Sequence, residues 1–237
     1  MFEYHLRTFD GDIMGRTIFI GDVHGCAEEF RHMLDKLKFE RSNDLVFLTG
    51  DAFTKGPDAL GVWKIIREID AKMVMGNHDV ALLERLRVRL NGKEKKLKKE
   101  HKRILDDVMP VVDDLVAWIE GLPLYIETQD FLLVHAGINP EKELGGTSQD
   151  EFVTIRTWPP KKGVEGDRWH DAYQPIRPLV IFGHDAPNGL VIKKQKKVPY
   201  LVGLDSGCVY GNALSAYILE ERLIVQVASL QPKQFAN

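Results

Sequence analysis

Thr17-Ile18-Phe19-Ile20-Gly21-Asp22-Val23-His24-Gly25 is the stretch of sequence that decides the predicted fold of this chain. Its apolar run predicts a buried strand that ends at Gly21, and Asp22 and His24 follow directly. In an open α/β sheet both side chains would leave the sheet at its carboxyl end, where such sheets bind ligands. Asp22 and His24 are therefore candidate metal ligands.

The same arrangement recurs four more times along the chain. Apolar runs at 45–49, 72–75, 131–134 and 179–182 each lead into Asp, Asn or His. The polar residues that follow these runs are Asp51, Asn77, His78, Asp79, His135 and His184. Five apolar runs that end in the same residue types predict one metal site assembled from five strand ends.

Length and composition frame the protein that carries this site. At 237 residues and 44% hydrophobic content, the chain can bury a full core, and we expect a single domain over 1–237 with a helical insertion at 91–121. A net charge of −3 gives no overall attraction to nucleic acid or membranes. Residues 1–16 lack the apolar core of a signal peptide, and no apolar run approaches the ~20 residues of a membrane span. Cys26 and Cys208 are interpreted as reduced, buried thiols in a cytoplasmic protein.

Helical periodicity follows each of the first three strands. Apolar residues recur at helical spacing from Cys26 to Leu37, Pro57 is placed to start a second helix, and Asp79 stands where an N-cap belongs on a third. This β-α-β-α-β order predicts a parallel sheet with right-handed crossovers.

The second half of the chain is less regular. Residues 91–121 predict a helical excursion that is broken near Pro110, and 139–178 is interpreted as long functional loops. Strands are predicted at 124–126, 131–134, 179–182, 200–204, 214–219 and 223–227. The lysine-rich segments 93–103 and 193–197 are interpreted as solvated surface, or alternatively as a cationic rim that steers a polyphosphate or an RNA 5′ end.

The six candidate ligands offer oxygen and imidazole nitrogen but no thiolate. They are Asp22, His24, Asp51, Asn77, His135 and His184. Such a set suits Mn²⁺, and Fe, Zn²⁺ or Mg²⁺ are alternatives. Six ligands exceed what one ion needs, so we expect two divalent ions that share a carboxylate and activate a bound water for attack on phosphorus.

These motifs resemble those of the calcineurin-like metallophosphoesterases. The resemblance covers Gly21-Asp22-Val23-His24-Gly25, Gly50-Asp51, Gly76-Asn77-His78-Asp79, His135-Ala136-Gly137 and Gly183-His184, in order. It implies a two-sheet α/β sandwich flanked by helices. It also implies Asp22, His24 and a bridging Asp51 on one ion, with Asp51, Asn77, His135 and His184 on the other. His78 would then be the acid that protonates the leaving group.

Within that family the chain is most similar to the phosphoprotein phosphatase branch, which includes the symmetrical dinucleoside tetraphosphatases. Lys55-Gly56-Pro57 resembles an Arg-Gly-Pro of those enzymes, and the stretch 204–214, which contains Tyr210, resembles their late strand-loop-strand element. The resemblance implies catalytic and substrate-binding roles for Lys55 and Arg156 and a substrate-binding role for Tyr210. Arg168 and Arg177 compete with Arg156 as the phosphate-clamping arginine.

Two positions depart from the family pattern. Where the protein phosphatases have an Asp that pairs with the catalytic His, this chain has Thr54. The next residue, usually Arg, is Lys55, which can hold a phosphate as a point charge but cannot fork around it.

Together these features predict a binuclear metal-dependent phosphohydrolase that cleaves dinucleoside polyphosphates, converting diadenosine tetraphosphate into two ADP. The alternatives are a protein serine/threonine phosphatase, a hydrolase of RNA 5′ ends or nucleotide pyrophosphates, and a metal-bound scaffold without turnover. His78 weighs against the scaffold, because a structural site has no use for a proton donor. We expect no membrane association and no stable protein partner.

Overall fold

The computed structural model describes residues 15–92, 96–161, 165–176 and 179–234. Two five-stranded sheets lie face to face with helices packed on their outer sides. The strands are β1 (Thr17–Ile20), β2 (Leu45–Leu48), β3 (Lys72–Met73), β4 (Tyr125–Glu127), β5 (Leu132–Val134), β6 (Val180–Phe182), β7 (Val191–Gln195), β8 (Val198–Gly203), β9 (Ala213–Ile218) and β10 (Leu223–Ala228). The helices are α1 (Ala27–Leu37), α2 (Ala59–Ile69), α3 (Asn77–Leu90), α4 (Lys99–Val108), α5 (Val112–Glu120), α6 (Glu143–Gly146), α7 (Gln149–Thr154) and α8 (Trp169–Ala172).

Both sheets are mixed. The first has the order β10-β9-β1-β2-β3, in which β1, β2 and β3 run parallel, β9 pairs antiparallel with β1, and β10 pairs antiparallel with β9. The second has the order β4-β5-β6-β8-β7, in which β5, β6 and β8 run parallel between two antiparallel edge strands. The expected two-sheet sandwich is therefore confirmed.

The central strands are continuous apolar runs because both of their faces are buried. In β1, Phe19 packs between the sheets, whereas Ile18 and Ile20 face the helical side. In β6, Ile181 faces the space between the sheets and its two neighbours face outward. Strand ends, rather than strand faces, are thus the places left for polar chemistry.

Two predicted helix starts are wrong by a few residues. Helix α2 begins at Ala59, and Asp58, not Pro57, caps it by accepting the backbone N–H of Gly61 at 2.7 Å. Helix α3 begins at Asn77, so Asp79 lies inside its first turn instead of at the N-cap. The Asp79 carboxylate is used elsewhere, because it accepts the backbone N–H groups of Gly76 and Asp51.

The insertion contains α4 and α5, and a short 3₁₀ turn at Met109–Val111 separates them at Pro110, as predicted. Residues 93–95 of its lysine run lie outside the described residues, and the domain boundaries stay a prediction. The segment 139–178 is not loop alone, since it contributes α6, α7 and α8.

The lysines at 193–197 lie on β7 and on the turn into β8, and β7 is a strand that the sequence did not predict. Pairing of Val180 with Leu201 puts that turn about seven residues, or ~23 Å, from the strand end that carries His184. Lys193 is also engaged by His170 O and Asp171. This position favours the solvated-surface interpretation over steering toward the metals. Across the described ranges, no helix has the length and apolarity to cross a membrane.

Candidate metal centre

The structure brings all six predicted ligands together at the carboxyl ends of β1, β2, β3, β5 and β6. Asp51 lies at the centre of the group. Its Oδ1 accepts the backbone N–H of His78 at 2.8 Å. Its Oδ2 lies 3.7 Å from His24 Nε2 and 3.5 Å from His135 Nε2. One carboxylate oxygen is therefore aimed between two imidazoles that come from different sheets.

Lone pairs converge on one point beside Asp51. Asn77 Oδ1 lies 3.2 Å from His135 Nε2 and 3.1 Å from His184 Nδ1. The other nitrogen of each ring is already committed, because His135 Nδ1–H donates to Thr49 O at 2.8 Å and His184 Nε2–H donates to Thr154 O at 3.2 Å. The inward nitrogens are thus acceptors, and they face the Asn77 oxygen, which is also an acceptor. Such a group of acceptors is suited to bind a cation.

His24 is oriented in the same way on the other side of Asp51. Its Nδ1 donates to the Thr54 hydroxyl at 3.1 Å, which leaves Nε2 as an acceptor. The Lys55 ammonium donates to that nitrogen at 2.9 Å. The Lys55 ammonium therefore binds the same lone pair that a metal ion would use.

Asp22 completes the group and is held by two donors. Its Oδ1 accepts the Thr49 hydroxyl at 2.7 Å, and its Oδ2 accepts the backbone N–H of His184 at 3.1 Å. A Cβ at Gly183 would lie 2.0 Å from Asp22 Oδ1, and one at Gly76 would lie 2.2 Å from Asp51 Oδ1. Glycine is required at both positions because the backbone there contacts a carboxylate oxygen and leaves no room for a Cβ.

Several of these residues hold unusual backbone conformations. His24, Asp51, Lys55 and His184 all have φ between 48° and 68°, the left-handed region. A non-glycine residue there costs about 1–2 kcal/mol. Such strain gathers at functional sites, where the surrounding structure enforces it.

The electrostatics of the group fit divalent cations. Burial, together with the charges of Asp205 and Asp51, raises the pKa of Asp22 well above its usual value, and burial raises the pKa of Asp51 to about 7. Burial lowers the pKa of His135 to about 4 and also holds the pKa values of His24 and His184 well below normal. Crowded carboxylates need added positive charge, and neutral imidazoles are the form that binds metal.

Asp205 is a buried carboxylate beside this centre that the sequence analysis did not single out. It follows β8 through Leu204, so it obeys the same rule as the five predicted strand ends. It accepts the backbone N–H of Gly207 at 3.1 Å, and burial raises its pKa. A sixth apolar run leading into an acid was the signal that could have found it.

The predicted substrate-binding residues border the same centre. Lys55 lies 5.2 Å from the centre of the Tyr210 ring, so both line one side. Arg156 donates to His184 O at 3.1 Å and lies 3.5 Å from Asp185 Oδ1. The Arg168 Nε lies 2.6 Å from Asp185 Oδ2. Arg156 is thus tied directly to a candidate ligand residue, whereas Arg177 lies outside the described residues.

His78 sits at the mouth of the site, half-buried, with its ring 5.1 Å from that of His24 in an edge-to-face arrangement. Burial, and then the charge of Lys55, lowers the pKa of His78 to about 3. The hydrogen bonds of Thr54 and Asp79 go to groups other than the His78 ring. Thr54 contacts His24, and Asp79 turns to backbone N–H groups.

Cys26 and Cys208 are free and buried, as expected. The two thiols and Glu29 form a compact group at the start of α1. Contact with Cys26, together with burial, raises the pKa of the Cys208 thiol. That thiol is therefore kept protonated, which suits a packing role.

The fold and the site together define a metal-dependent phosphoesterase. Residues 15–221 match the calcineurin-like phosphoesterase family, and the chain belongs to it. It is therefore a hydrolase of the phosphoesterase class, and membership implies divalent metal ions.

Several relatives are more specific in name. A protein of Aromatoleum aromaticum, named symmetrical bis(5′-nucleosyl)-tetraphosphatase, is 28% identical over 270 residues, which cover 88% of this chain and 95% of the relative. The Proteus mirabilis protein of the same name is 36% identical over 132 residues, or 54% of this chain and 46% of the relative.

The solved structures agree on the architecture. A crystal structure of a candidate diadenosine tetraphosphatase is 28% identical, with a TM-score of 0.74 over 93% of this chain and 96% of that one. A protein serine/threonine phosphatase from Saccharomyces cerevisiae has a TM-score of 0.63 over 96% of this chain and 83% of its own, and at 13% identity it shows the shared fold alone.

Proposed function

We propose that this phosphohydrolase cleaves dinucleoside polyphosphates symmetrically, converting diadenosine tetraphosphate into two ADP with the help of two divalent ions. The observation that carries the proposal is the placement of Asp51. Its carboxylate belongs to two tight groups of candidate ligands, one with His24 and His78 and one with His135 and His184. The names of the full-length relatives supply the substrate class.

The proposed ligand sets are those that the family resemblance implies, and the placement of Asp51 between His24 and His135 supports them. Asp22, His24 and Asp51 would hold one ion, and Asp51, Asn77, His135 and His184 would hold the other. Bound there, two ions would neutralise phosphoryl oxygens and would lower the pKa of a bound water toward neutral pH. Mn²⁺ is the proposed metal, and Fe, Zn²⁺ and Mg²⁺ are the alternatives that the same donors accept.

The remaining side chains bind and orient the substrate. Lys55 supplies a positive charge beside His24, and Arg156, held by the His184 carbonyl, presents its guanidinium to the phosphate on the opposite side. Tyr210 packs near Lys55 and limits the directions that its ammonium can take. His78 is proposed to donate a hydrogen to the leaving oxygen, because it lies at the rim next to both His24 and Asp51.

The test is product analysis after metal reconstitution. Protein stripped of metal and reloaded with Mn²⁺ is incubated with diadenosine tetraphosphate, a phosphoserine peptide and a capped RNA. We expect chromatography to show ADP as the sole nucleotide product and the dinucleotide to be turned over fastest. AMP plus ATP would refute symmetrical cleavage, and faster turnover of the peptide or the RNA would refute the substrate class.

A further inference from the structure

A cleft of about 900 Å³ opens between α3 and α4, outside the group of metal ligands. We call it the α3–α4 cleft and define it by its cationic lining, which consists of Arg85, Arg89, Lys96, Lys98 and Lys102. Its volume lies in the range of ~300–1,000 Å³ that is typical of small-molecule sites. Glu84 is its one acidic lining residue among those the structure describes.

Helix α3 connects this cleft to the metal centre. His78 lies in the first turn, and Arg85 and Arg89 follow seven and eleven residues later. At about 100° per residue these three side chains fall within about 40° of one another, on one stripe of the helix. A rise of about 1.5 Å per residue places Arg85 about 10 Å and Arg89 about 16 Å along the axis from His78. The stripe thus runs from the proposed proton donor into the cleft.

The described lining of the cleft carries more positive than negative charge, since five of its side chains are Arg or Lys and one is Glu. Within the cleft, burial and then Arg85 lower the pKa of His101. Arg89 is neutralised by Asp106 at 2.7 Å. Arg85, Lys98 and Lys102 line the cleft, and among the described residues none of the three forms an ion pair.

Arg103 fixes α4 to the loop that carries Lys55. Its guanidinium donates to the carbonyls of Lys55, Gly56 and Pro57 at 3.1, 2.6 and 2.8 Å. Asp107 also accepts the backbone N–H of Leu60 at 3.0 Å. Both walls of the cleft are therefore attached to elements of the metal centre, α3 through Asn77 at its first residue and α4 through Arg103.

We propose that the α3–α4 cleft binds the distal half of the substrate. This half is the nucleoside diphosphate group that extends away from the phosphate at the metal centre. Arg85, Lys98 and Lys102 hold the phosphates of that half, and the base packs on the wall formed by Val88, Leu97 and His101. Base stacking on an aromatic side chain is tolerant of base identity, so the cleft selects for a second nucleotide and not for adenine alone. This inference rests on the proposed function.

The experiment compares a long and a short substrate. Diadenosine tetraphosphate reaches the cleft, whereas p-nitrophenyl phosphate is too short to leave the metal centre. For Arg85→Gln, and separately for Lys98→Gln/Lys102→Gln, we expect the ratio of kcat/KM for the dinucleotide to kcat/KM for the small ester to fall about tenfold for each cation that no longer binds a phosphate. The lower ratio should come mainly from a higher KM for the dinucleotide, and the effect should shrink at high salt.

Arg87→Gln is the matched control. Arg87 lies on the same helix, on the face opposite His78, and pairs with Glu120. The substitution removes the same charge and should leave the ratio unchanged. An unchanged ratio in both cleft variants, or an equal fall in the control, would overturn the inference while leaving symmetrical cleavage intact. Weaker binding of a single-stranded RNA by the cleft variants, with dinucleotide KM unchanged, would equally overturn it and assign the cleft to RNA.

Discussion

Replacement of Asp51 by Asn tests whether one carboxylate serves both ions. Asp51 Oδ1 accepts the backbone N–H of His78, so the amide of the variant must turn its oxygen to that position. Its NH₂ group then takes the place of Oδ2, between His24 Nε2 and His135 Nε2. A donor cannot coordinate a cation, so both ligand sets lose a member and a negative charge.

The expected losses are large and selective. Charge stabilisation by bound metal is worth several kcal/mol, which corresponds to about a thousandfold or more in kcat. Stability without metal should change little, because burial raises the pKa of Asp51 to about 7 and Asn imitates the neutral acid. We expect the metal-free free energy of unfolding to stay within about 1 kcal/mol of wild type.

Elemental analysis and thermal unfolding read out the result. Wild type should carry two ions per chain and gain Tm with Mn²⁺, since a ligand that binds only the folded state stabilises it. Asp51→Asn should carry fewer than two ions per chain and should gain no Tm with Mn²⁺. Asp130→Asn is an exposed control and should match wild type in both measurements. Two ions retained in Asp51→Asn would refute the shared carboxylate.

Two further outcomes follow from single side chains. His78→Asn should slow an alkyl phosphomonoester at least about tenfold more than diadenosine tetraphosphate, measured as kcat for both substrates; equal losses would contradict the proposed leaving-group role. Arg16→Gln should lower the free energy of unfolding at pH 7 by about 1–2 kcal/mol, because Arg16 forks onto buried Asp44 at 2.6 and 2.9 Å. Burial alone would raise the pKa of Asp44, but the hydrogen bonds from Arg16 lower it, so this stability is present above the unfolded pKa of about 4 and is lost as pH falls through the lower folded value. Urea unfolding from pH 7 to pH 3 should show the free energies of unfolding of the variant and wild type converging. A difference that stays constant with pH would contradict this role of the Arg16–Asp44 pair.

The strand ends were predictable because parallel strands buried on both faces are apolar throughout and put their ligands at one edge. Asp22 and His184 come from different sheets and are 162 residues apart, yet one rule found both. The same rule did not find β7, because an edge strand with no buried residue, rich in lysine, has the composition of a loop. Helices α6 and α8, at four residues each, are too short for periodicity to register.

The pairings between individual side chains could not be predicted from the sequence. Thr54 stands three residues after Asp51, where the protein phosphatases have an Asp, but its hydroxyl contacts His24 and not His78. Likewise Asp79 follows His78 directly, but the first turn of α3 points its carboxylate at backbone N–H groups. Such pairings depend on the path of the chain between the motifs, which no spacing rule encodes.

These two pairings bear on the choice of substrate. Thr54 contacts His24 and Asp79 Oδ2 accepts backbone N–H groups, and among the described residues no carboxylate accepts a hydrogen bond from the His78 ring. An alkoxide leaving group must be protonated as its bond to phosphorus breaks, and a histidine without a carboxylate partner is poorly prepared for that step. A nucleoside diphosphate leaves as a phosphate whose second pKa is about 6, so it needs little help. The surroundings of His78 therefore support the proposal of an anhydride substrate in preference to a phosphoserine ester.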